Sequence, residues 1–256
     1  AASLNLPPKV LAVGLDFTLE AVTDTAEDWL SGMYGVMTKI TDVFADHGLR
    51  KPLFVAPYES GSQTVSDHPV LRAQWDLSWN KGGHDFFYSA PSYMFALDSF
   101  GRATPDARQQ MAEMDACAIE ACNSDIDWAC PVFLLAEREE NPCIIRCRAQ
   151  AMGPLVVDAS DPLNAGSSCG FAFEGCSNHA TILKVEVAPD DSKDLLITCD
   201  VAPDGDGLKL LYAFGHAPSS DGMPANRGGI RDDWSYSSKT GASLYRWALP
   251  AALPVH

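Results

Sequence analysis

Residues 93–121 read YMFALDSFGRATPDARQQMAEMDACAIEA, and this stretch holds the features that decide the fold class. An apolar run ends at Asp98, a short turn follows, and a helical pattern then begins. Thr104 is a typical helix N-cap, Pro105 suits the first helical position, and Asp106 lies where the helix dipole favours a negative charge. The stretch therefore predicts a helix that is entered through a loop at the end of an apolar run.

The same alternation of apolar runs and helical patterns occurs upstream of this stretch. Short apolar runs at 10–17, 51–57 and 85–91 predict buried strands. Between them, residues 25–48 and 66–80 carry apolar side chains at helical spacing. Strands that alternate with helices predict right-handed crossovers and a parallel sheet, whose ligands bind at the carboxyl ends of the strands.

The pattern changes after about residue 128. Eight short runs rich in β-forming residues follow, separated by turn clusters such as APDD and APDGDG. Strands at this spacing predict an antiparallel β-sandwich or jelly roll. We therefore expect an α/β domain over 1–128 and a β-sandwich domain over 129–256. They are expected to pack together, because no low-complexity linker separates them.

Composition limits the classes of partner. The chain has 34 acidic and 18 basic residues and a net charge of −16, which disfavours binding to phosphate backbones. No apolar run approaches the ~18 residues of a transmembrane helix. The composition predicts a soluble globular protein without nucleic-acid binding or membrane insertion. A secreted setting or cationic partners are the alternative readings of the charge.

The eight cysteines contain no CxxC pair, which disfavours a zinc ribbon or a thioredoxin-like site. Cys143 and Cys147 lie on one predicted strand, where four residues span roughly 13 Å, beyond disulfide reach. Cys169 and Cys176 meet only if the segment between them folds back. We expect mostly free, buried thiols, no metal site and no cofactor.

The order of these segments resembles the SGNH (GDSL-like) hydrolase superfamily, especially carbohydrate esterases with a C-terminal β-domain. Residues 10–24 and 51–63 are similar to the family's mid-domain strands and loops, and residues 90–121 to its closing block and final helix. GFAFEG, LKLLYAFG and NRGGIRDDW resemble motifs of the appended β-domain. The resemblance implies a partial flavodoxin-like sheet, because it covers the family's catalytic domain only from the middle onward.

The family's catalytic groups are missing from the matching positions. A serine nucleophile follows the family's first strand, but no Gly-Asp-Ser-type motif precedes Val10, so that element would lie upstream of Ala1. The mid-domain loop that should supply an oxyanion donor carries Leu19. Asp98 is followed by Ser99, Phe100 and Gly101, where the family's Asp-x-x-His block has its histidine.

These departures predict a scaffold without catalytic residues. A serine is a weak nucleophile without a base, and an aspartate without its histidine orients nothing. Asp98 is then a vestigial triad member. Two residues could stand in for the missing base and nucleophile, but both are disfavoured. His84 precedes its predicted strand and so lies at the wrong end of the sheet, and Ser62 lacks a Gly-x-Ser-x-Gly elbow. Asp16, Glu20 and Asp24 are read as solvated loop carboxylates, with cation binding as the alternative.

Polar and aromatic side chains follow the predicted strands at the carboxyl edge. Because sugars bind through aromatic stacking and polar groups, these residues are the candidate ligand-binding set: Tyr58, Glu59, Ser62, Gln63, Tyr93 and Arg102. A second set in the β-part is a candidate partner surface, or an ordered loop closed by arginine–carboxylate pairs: Arg227, Arg231, Trp234 and Tyr236.

The sequence thus predicts a non-catalytic protein that binds a polysaccharide or glycan, or that assembles with partner chains or with itself. Modules of the resembled kind occur in polysaccharide-active proteins and in phage-type tail or head appendages. The alternative is an active serine carbohydrate esterase whose nucleophile segment lies upstream or on another chain.

Overall fold

The computed structural model describes residues 10–16, 25–60, 66–214 and 222–256. Within these ranges the chain is a mixed α/β protein with one three-stranded parallel sheet and several antiparallel sheets. The general α/β class predicted from the sequence is confirmed.

The parallel sheet has the order β1-β2-β3, with β1 at Val13–Gly14, β2 at Leu53–Tyr58 and β3 at Asp85–Pro91. Three α-helices accompany it: α1 at Ala26–Asp46, α2 at Pro69–Trp79 and α3 at Pro105–Asn123. A short 3₁₀ helix, Ser92–Met94, follows β3. None of the described helices combines the length and the apolar character that a membrane span requires.

The helix starts agree with the capping residues in the sequence. The Thr25 hydroxyl accepts a hydrogen bond from the Asp28 amide at 3.1 Å, and Thr104 accepts one from the Ala107 amide at 3.2 Å. Each bond satisfies an amide that has no partner within its helix. The predicted N-cap of α3 is therefore confirmed, and Thr25 caps α1 in the same way.

Ten antiparallel strands follow in the described residues: β4 Val132–Arg138, β5 Ile144–Gln150, β6 Leu155–Val157, β7 Phe171–Glu174, β8 Ile182–Val187, β9 Asp194–Cys199, β10 Lys209–Tyr212, β11 Ile230–Ser237, β12 Ser243–Trp247 and β13 Ala251–Pro254. They form sheets of order β4-β5-β9-β8, β13-β10-β7 and β12-β11-β6. The first two sheets meet beside His256, since the Arg138 amide donates to the His256 carbonyl at 2.9 Å and the His256 amide donates to the Ala136 carbonyl at 3.0 Å.

One sequence interpretation needs correction. The segment around NRGGIRDDWSYSS was read as an ordered loop, but most of it is β11. Ile230 and Asp232 are buried and Arg231 is only partly exposed, so one face of this strand is covered. The charged residues made the segment look like a loop in the sequence. Salt-bridged charges mask the period-2 pattern that identifies a strand.

The parallel sheet and the β-part share one hydrophobic core. It contains Phe87 of β3 and Met114 of α3 together with Phe133, Ile145 and Leu195 of the antiparallel strands. The Trp128 indole N–H donates to the Ser89 carbonyl of β3 at 3.2 Å. The two parts therefore pack together as expected, whereas their division into two domains stays a prediction.

Two buried tyrosines lie where the parallel sheet meets the antiparallel sheets. The Tyr93 hydroxyl donates to the Ala248 carbonyl at 2.6 Å and lies 3.2 Å from the Tyr212 hydroxyl. Tyr212 in turn accepts from the Ile230 amide at 3.0 Å. A Cβ at Gly228 would lie 2.2 Å from the Tyr212 ring, so glycine is required there. This tyrosine pair joins β3 to β10, β11 and β12.

Tyr93→Phe tests the tyrosine pair. The substitution leaves the buried Ala248 carbonyl without its donor, so we expect the free energy of unfolding to fall by about 1–3 kcal/mol. Urea unfolding followed by tryptophan fluorescence measures this change. Tyr236→Phe, at a side chain that is 37% exposed, is the matched control and should change stability by less than about 0.5 kcal/mol. Equal effects of the two substitutions would contradict the role given to the pair.

Candidate functional site

The carboxyl edge of the parallel sheet is covered by the β-part. Tyr58, at the end of β2, donates its hydroxyl to the Leu71 carbonyl at 3.0 Å and lies 3.4 Å from the Pro250 carbonyl. Tyr58 and Tyr93 are both fully buried. The sequence placed both in the ligand-binding set, but here they pack against the segment between β12 and β13 and offer no face to a ligand.

Glu59 lies beside this covered edge. Its amide donates to the Gln74 side-chain oxygen at 2.7 Å, and the Gln74 amide group donates back to the Glu59 carbonyl at 3.1 Å. Burial and, to a lesser extent, the negative charge of Asp16 raise the pKa of the Glu59 carboxyl to about 7, against an opposing hydrogen bond from Ser92. The carboxyl therefore gains and loses its proton near neutral pH.

Other residues of the predicted set lie outside the described residues. These are Ser62 and Gln63, as well as Leu19, Glu20 and Asp24. Among the residues that are described, no group of three or more histidine, cysteine, aspartate or glutamate side chains is placed to hold a metal ion.

Asp98 has a structural role in a tight hairpin. Its carboxylate accepts hydrogen bonds from the Phe100 amide at 2.8 Å and the Arg102 amide at 3.0 Å. The Arg102 guanidinium binds the other carboxylate oxygen at 3.0 Å. The backbone bond from Arg102 is the main cause that lowers the pKa of Asp98. Arg102, predicted to bind a ligand, is thus engaged by Asp98, and Asp98 closes a turn.

A catalytic base is not seen among the described histidines. His84 lies just before β3, at the amino edge of the sheet, where its Nε2 is 3.4 Å from the Thr38 hydroxyl and its ring stacks near Tyr34. In the described part of the chain no histidine hydrogen-bonds to a serine hydroxyl or a carboxylate. The residues at hand therefore do not assemble a serine–histidine pair.

An open cleft lies next to the covered edge, between α2 and strands β10 and β13. We call it the α2–β13 cleft, and its volume is about 380 Å³. Its walls include the indole of Trp75, several charged groups and apolar strand residues, among them Asp67, Arg72, Asp76, Lys209 and Leu253. Clefts that combine apolar surface with a few polar groups are the usual form of ligand sites.

Trp75 is held in position within this cleft. Its indole N–H donates to the Phe133 carbonyl of β4 at 2.9 Å, which fixes the ring before any ligand arrives. Burial raises the pKa of the neighbouring Asp76, and the positive charge of Arg72 partly opposes this. Lys209 is engaged in an ion pair with Glu174 at 2.6 Å. Arg72, exposed at the rim, is the cation nearest to Asp76 on the same helix.

The aromatic surface continues along α2 beyond the cleft. Trp79 packs edge-on against Trp75 with ring centroids 5.7 Å apart, and it is 48% exposed. Leu134 of β4 is also partly exposed and lines the cleft. The sequence interpretation missed this feature because it assigned Trp75 to the apolar face of a helix. The available signal was the i, i+4 spacing of the two tryptophans, which places them on one helix face.

The predicted partner surface is largely internal. Arg227 is buried, and its guanidinium donates to the carbonyls of Asn164 at 3.0 Å and Pro224 at 2.8 Å. Arg231 pairs with Asp158 at 3.0 Å. Arg227 is therefore buried rather than facing a partner, and of these contacts only the one between Arg231 of β11 and Asp158 is an arginine–carboxylate pair.

The two aromatic members of that set differ in exposure. Trp234 packs edge-on against Trp128 with centroids 4.9 Å apart, and the Arg246 guanidinium lies 5.6 Å from the Trp234 ring. Arg246 also pairs with the buried Asp232 at 2.7 Å. Tyr236 is partly exposed and stacks over Trp234. Tyr236 is therefore the member most available to another molecule.

The covered carboxyl edge and the α2–β13 cleft differ in the groups that a ligand could contact. The edge holds buried tyrosines and a half-buried carboxyl, whereas the cleft is open and has an aromatic wall with charged groups beside it. Comparison with protein-family models and with curated proteins finds no match for this chain. The function is therefore inferred from the geometry of the cleft and from the sequence pattern.

Glu59→Gln tests the environment of the carboxyl beside the covered edge. The pKa of Glu59 is raised to about 7 in the folded chain, so the folded state keeps a proton that the unfolded state releases above about pH 4.3. The free energy of unfolding of the wild type is therefore highest at low pH with respect to this group, and it falls as the pH rises towards 7. We expect the variant to gain stability relative to the wild type between about pH 5 and about pH 8.

Urea unfolding at a series of pH values measures this difference. Glu120→Gln, at an exposed position on α3, is the matched control and should leave the pH dependence of the wild type unchanged. If Glu59→Gln and wild type show parallel stability profiles, the assigned environment of Glu59 is wrong.

Proposed function

We propose that this chain is a non-catalytic glycan-binding protein and that the α2–β13 cleft is its binding site. The scaffold proposed for it is an SGNH-hydrolase-like fold with a partial flavodoxin-like sheet and a C-terminal β-sandwich. The observation that carries the proposal is Trp75, whose ring is held at the wall of an open cleft with Arg72 and Asp76 beside it.

The strand order supports the proposed scaffold. In a flavodoxin-like sheet of order 2-1-3-4-5, the last three strands are neighbours in chain order. The observed order β1-β2-β3 matches three such consecutive strands.

Aromatic packing supports the proposed sandwich. The Phe133 ring of β4 lies 5.5 Å from the Phe171 ring of β7 and 4.9 Å from the Tyr212 ring of β10. These rings belong to two different antiparallel sheets, β4-β5-β9-β8 and β13-β10-β7. Side chains of two sheets that interdigitate in one core are typical of a β-sandwich.

The chemistry of the cleft fits a sugar. The apolar face of a sugar ring packs on an indole, and its hydroxyls donate to a carboxylate such as Asp76 and accept from a guanidinium such as Arg72. Because Trp75 is already held by the Phe133 carbonyl, binding costs little ordering of that ring. The net charge of −16 repels highly anionic chains, so a neutral or weakly charged glycan is favoured.

The absence of hydrolysis follows from the state of Asp98. Its carboxylate is occupied by two backbone amides and by Arg102, so it has no histidine to orient. A binding protein needs no nucleophile, and the loss of the triad leaves the α2–β13 cleft intact.

Glycan binding is tested on an array of neutral, acetylated and uronic-acid oligosaccharides. We expect the wild type to retain at least one member and Trp75→Ala to weaken that binding about tenfold or more, a loss of about 1.4 kcal/mol. Asp76→Asn changes one carboxylate on the cleft wall without removing packing, and it should also weaken binding. Phe100→Ala is the matched control, since this ring is 79% exposed on the hairpin away from the cleft. Equal binding by all four proteins would overturn the assignment of the site.

The lack of catalysis is tested with an aryl acetate. We expect the purified chain to show no hydrolysis above the buffer rate, because no serine–histidine pair is assembled in the described residues. The experiment follows release of the aryl alcohol by absorbance. Turnover that one serine substitution abolishes would contradict the proposal and favour the esterase.

A further inference from the structure

Two cysteines face each other across neighbouring strands. Cys143 immediately precedes β5, and Cys199 is the last residue of β9. The antiparallel register pairs Ile144 with Thr198, so one further step places Cys143 opposite Cys199. The Cys199 amide donates to the Cys143 carbonyl at 2.8 Å, which shows that the ladder extends to this pair.

The spacing of such a pair fits a disulfide. Directly opposite residues in a hydrogen-bonded position have Cα atoms about 5.5 Å apart, and disulfides span about 4.4–6.8 Å between Cα atoms. Opposite side chains also lie on the same face of a sheet. The Cys143 amide binds the Asn141 side chain at 3.1 Å rather than the strand, so the ladder ends here and the backbone has room to adjust.

A third thiol lies near the pair. Burial, the charge of Asp200 and the nearby thiols of Cys143 and Cys176 together raise the pKa of the Cys199 thiol to about 11. Cys143 and Cys176 are each partly exposed, whereas Cys199 is buried. A thiol that is more exposed meets an external disulfide first. The arrangement therefore favours Cys143 as the attacking residue and Cys199 as the residue that resolves the intermediate.

We propose that Cys143 and Cys199, free thiols in this structure, are a redox site that closes to a disulfide when the chain meets a small-molecule disulfide oxidant. The Cys143 thiolate attacks glutathione disulfide and releases one glutathione thiolate. The Cys199 thiolate, its proton lost to solvent, attacks the Cys143 sulfur and releases the second. Two protein thiols are oxidised and one glutathione disulfide is reduced to two glutathione molecules.

Closure links the start of β5 to the end of β9 and encloses the chain from β5 to β9 in a covalent loop. A cross-link over so long a loop restricts the unfolded chain and raises stability. Other cysteines lack this arrangement. Cys147, for example, is the fourth residue of β5 and faces Leu195.

The test treats the native protein with glutathione disulfide, alkylates it under denaturing conditions and maps the peptides without reduction. We expect two of the eight thiols to be lost, one cross-linked peptide to join Cys143 to Cys199, and the Tm to rise. Cys143→Ser should lose no thiol to an internal cross-link and should show no rise in Tm. Cys147→Ser, on the same strand and face, should still form the cross-link.

Three results would overturn the proposal. The first is eight free thiols after treatment. The second is a cross-link that joins Cys176 to either member of the pair. The third is a stable glutathione adduct at Cys143 that Cys199 does not resolve. Cys147→Ser shows whether loss of a thiol from this strand alone disturbs the fold, so failure to fold is distinguished from failure to cross-link.

Discussion

The arrangement of the molecule depends on two buried hydroxyls, those of Tyr93 and Tyr212, which hydrogen-bond to each other and to the backbone around them. They hold the chain just after β3 against the ends of β10 and β12 and the start of β11. Buried polar groups must be paired, so the contact fixes the relative position of the sheets. The carboxyl edge, where ligands of parallel sheets usually bind, is closed as a consequence.

Because that edge is covered, the surface that a ligand can reach lies beside it, in the α2–β13 cleft. Tyr58 lies at the boundary, because its hydroxyl binds α2 and the segment before β13, and residues of both line the α2–β13 cleft. The cleft is thus formed by the same packing that covers the edge. Asp98 likewise has a structural role, since its carboxylate closes a hairpin with Arg102 and two backbone amides.

Local features of the fold were predictable from the sequence, and long-range ones were not. The caps at Thr25 and Thr104 and the parallel strands depend on residues close together in the chain. The burial of Tyr58 and Tyr93 depends on Pro250 and Ala248, more than 150 residues away, which no local pattern reports. Strand β13 was missed because its sequence, AALP, is poor in β-forming residues and is ordered by pairing with β10. The position of Trp75 at the cleft wall was not predicted, because helical periodicity shows which side chains share one face of a helix but not what that face contacts.

A crystal structure of the protein with an oligosaccharide identified on the glycan array shows directly which surface holds the glycan. We expect a sugar ring packed on Trp75 in the α2–β13 cleft, with hydroxyls bound to Asp76 or Arg72 and the Tyr93–Tyr212 contact unchanged. A sugar bound instead beside Glu59 at an opened carboxyl edge would contradict this expectation, as would an acyl group attached to a serine.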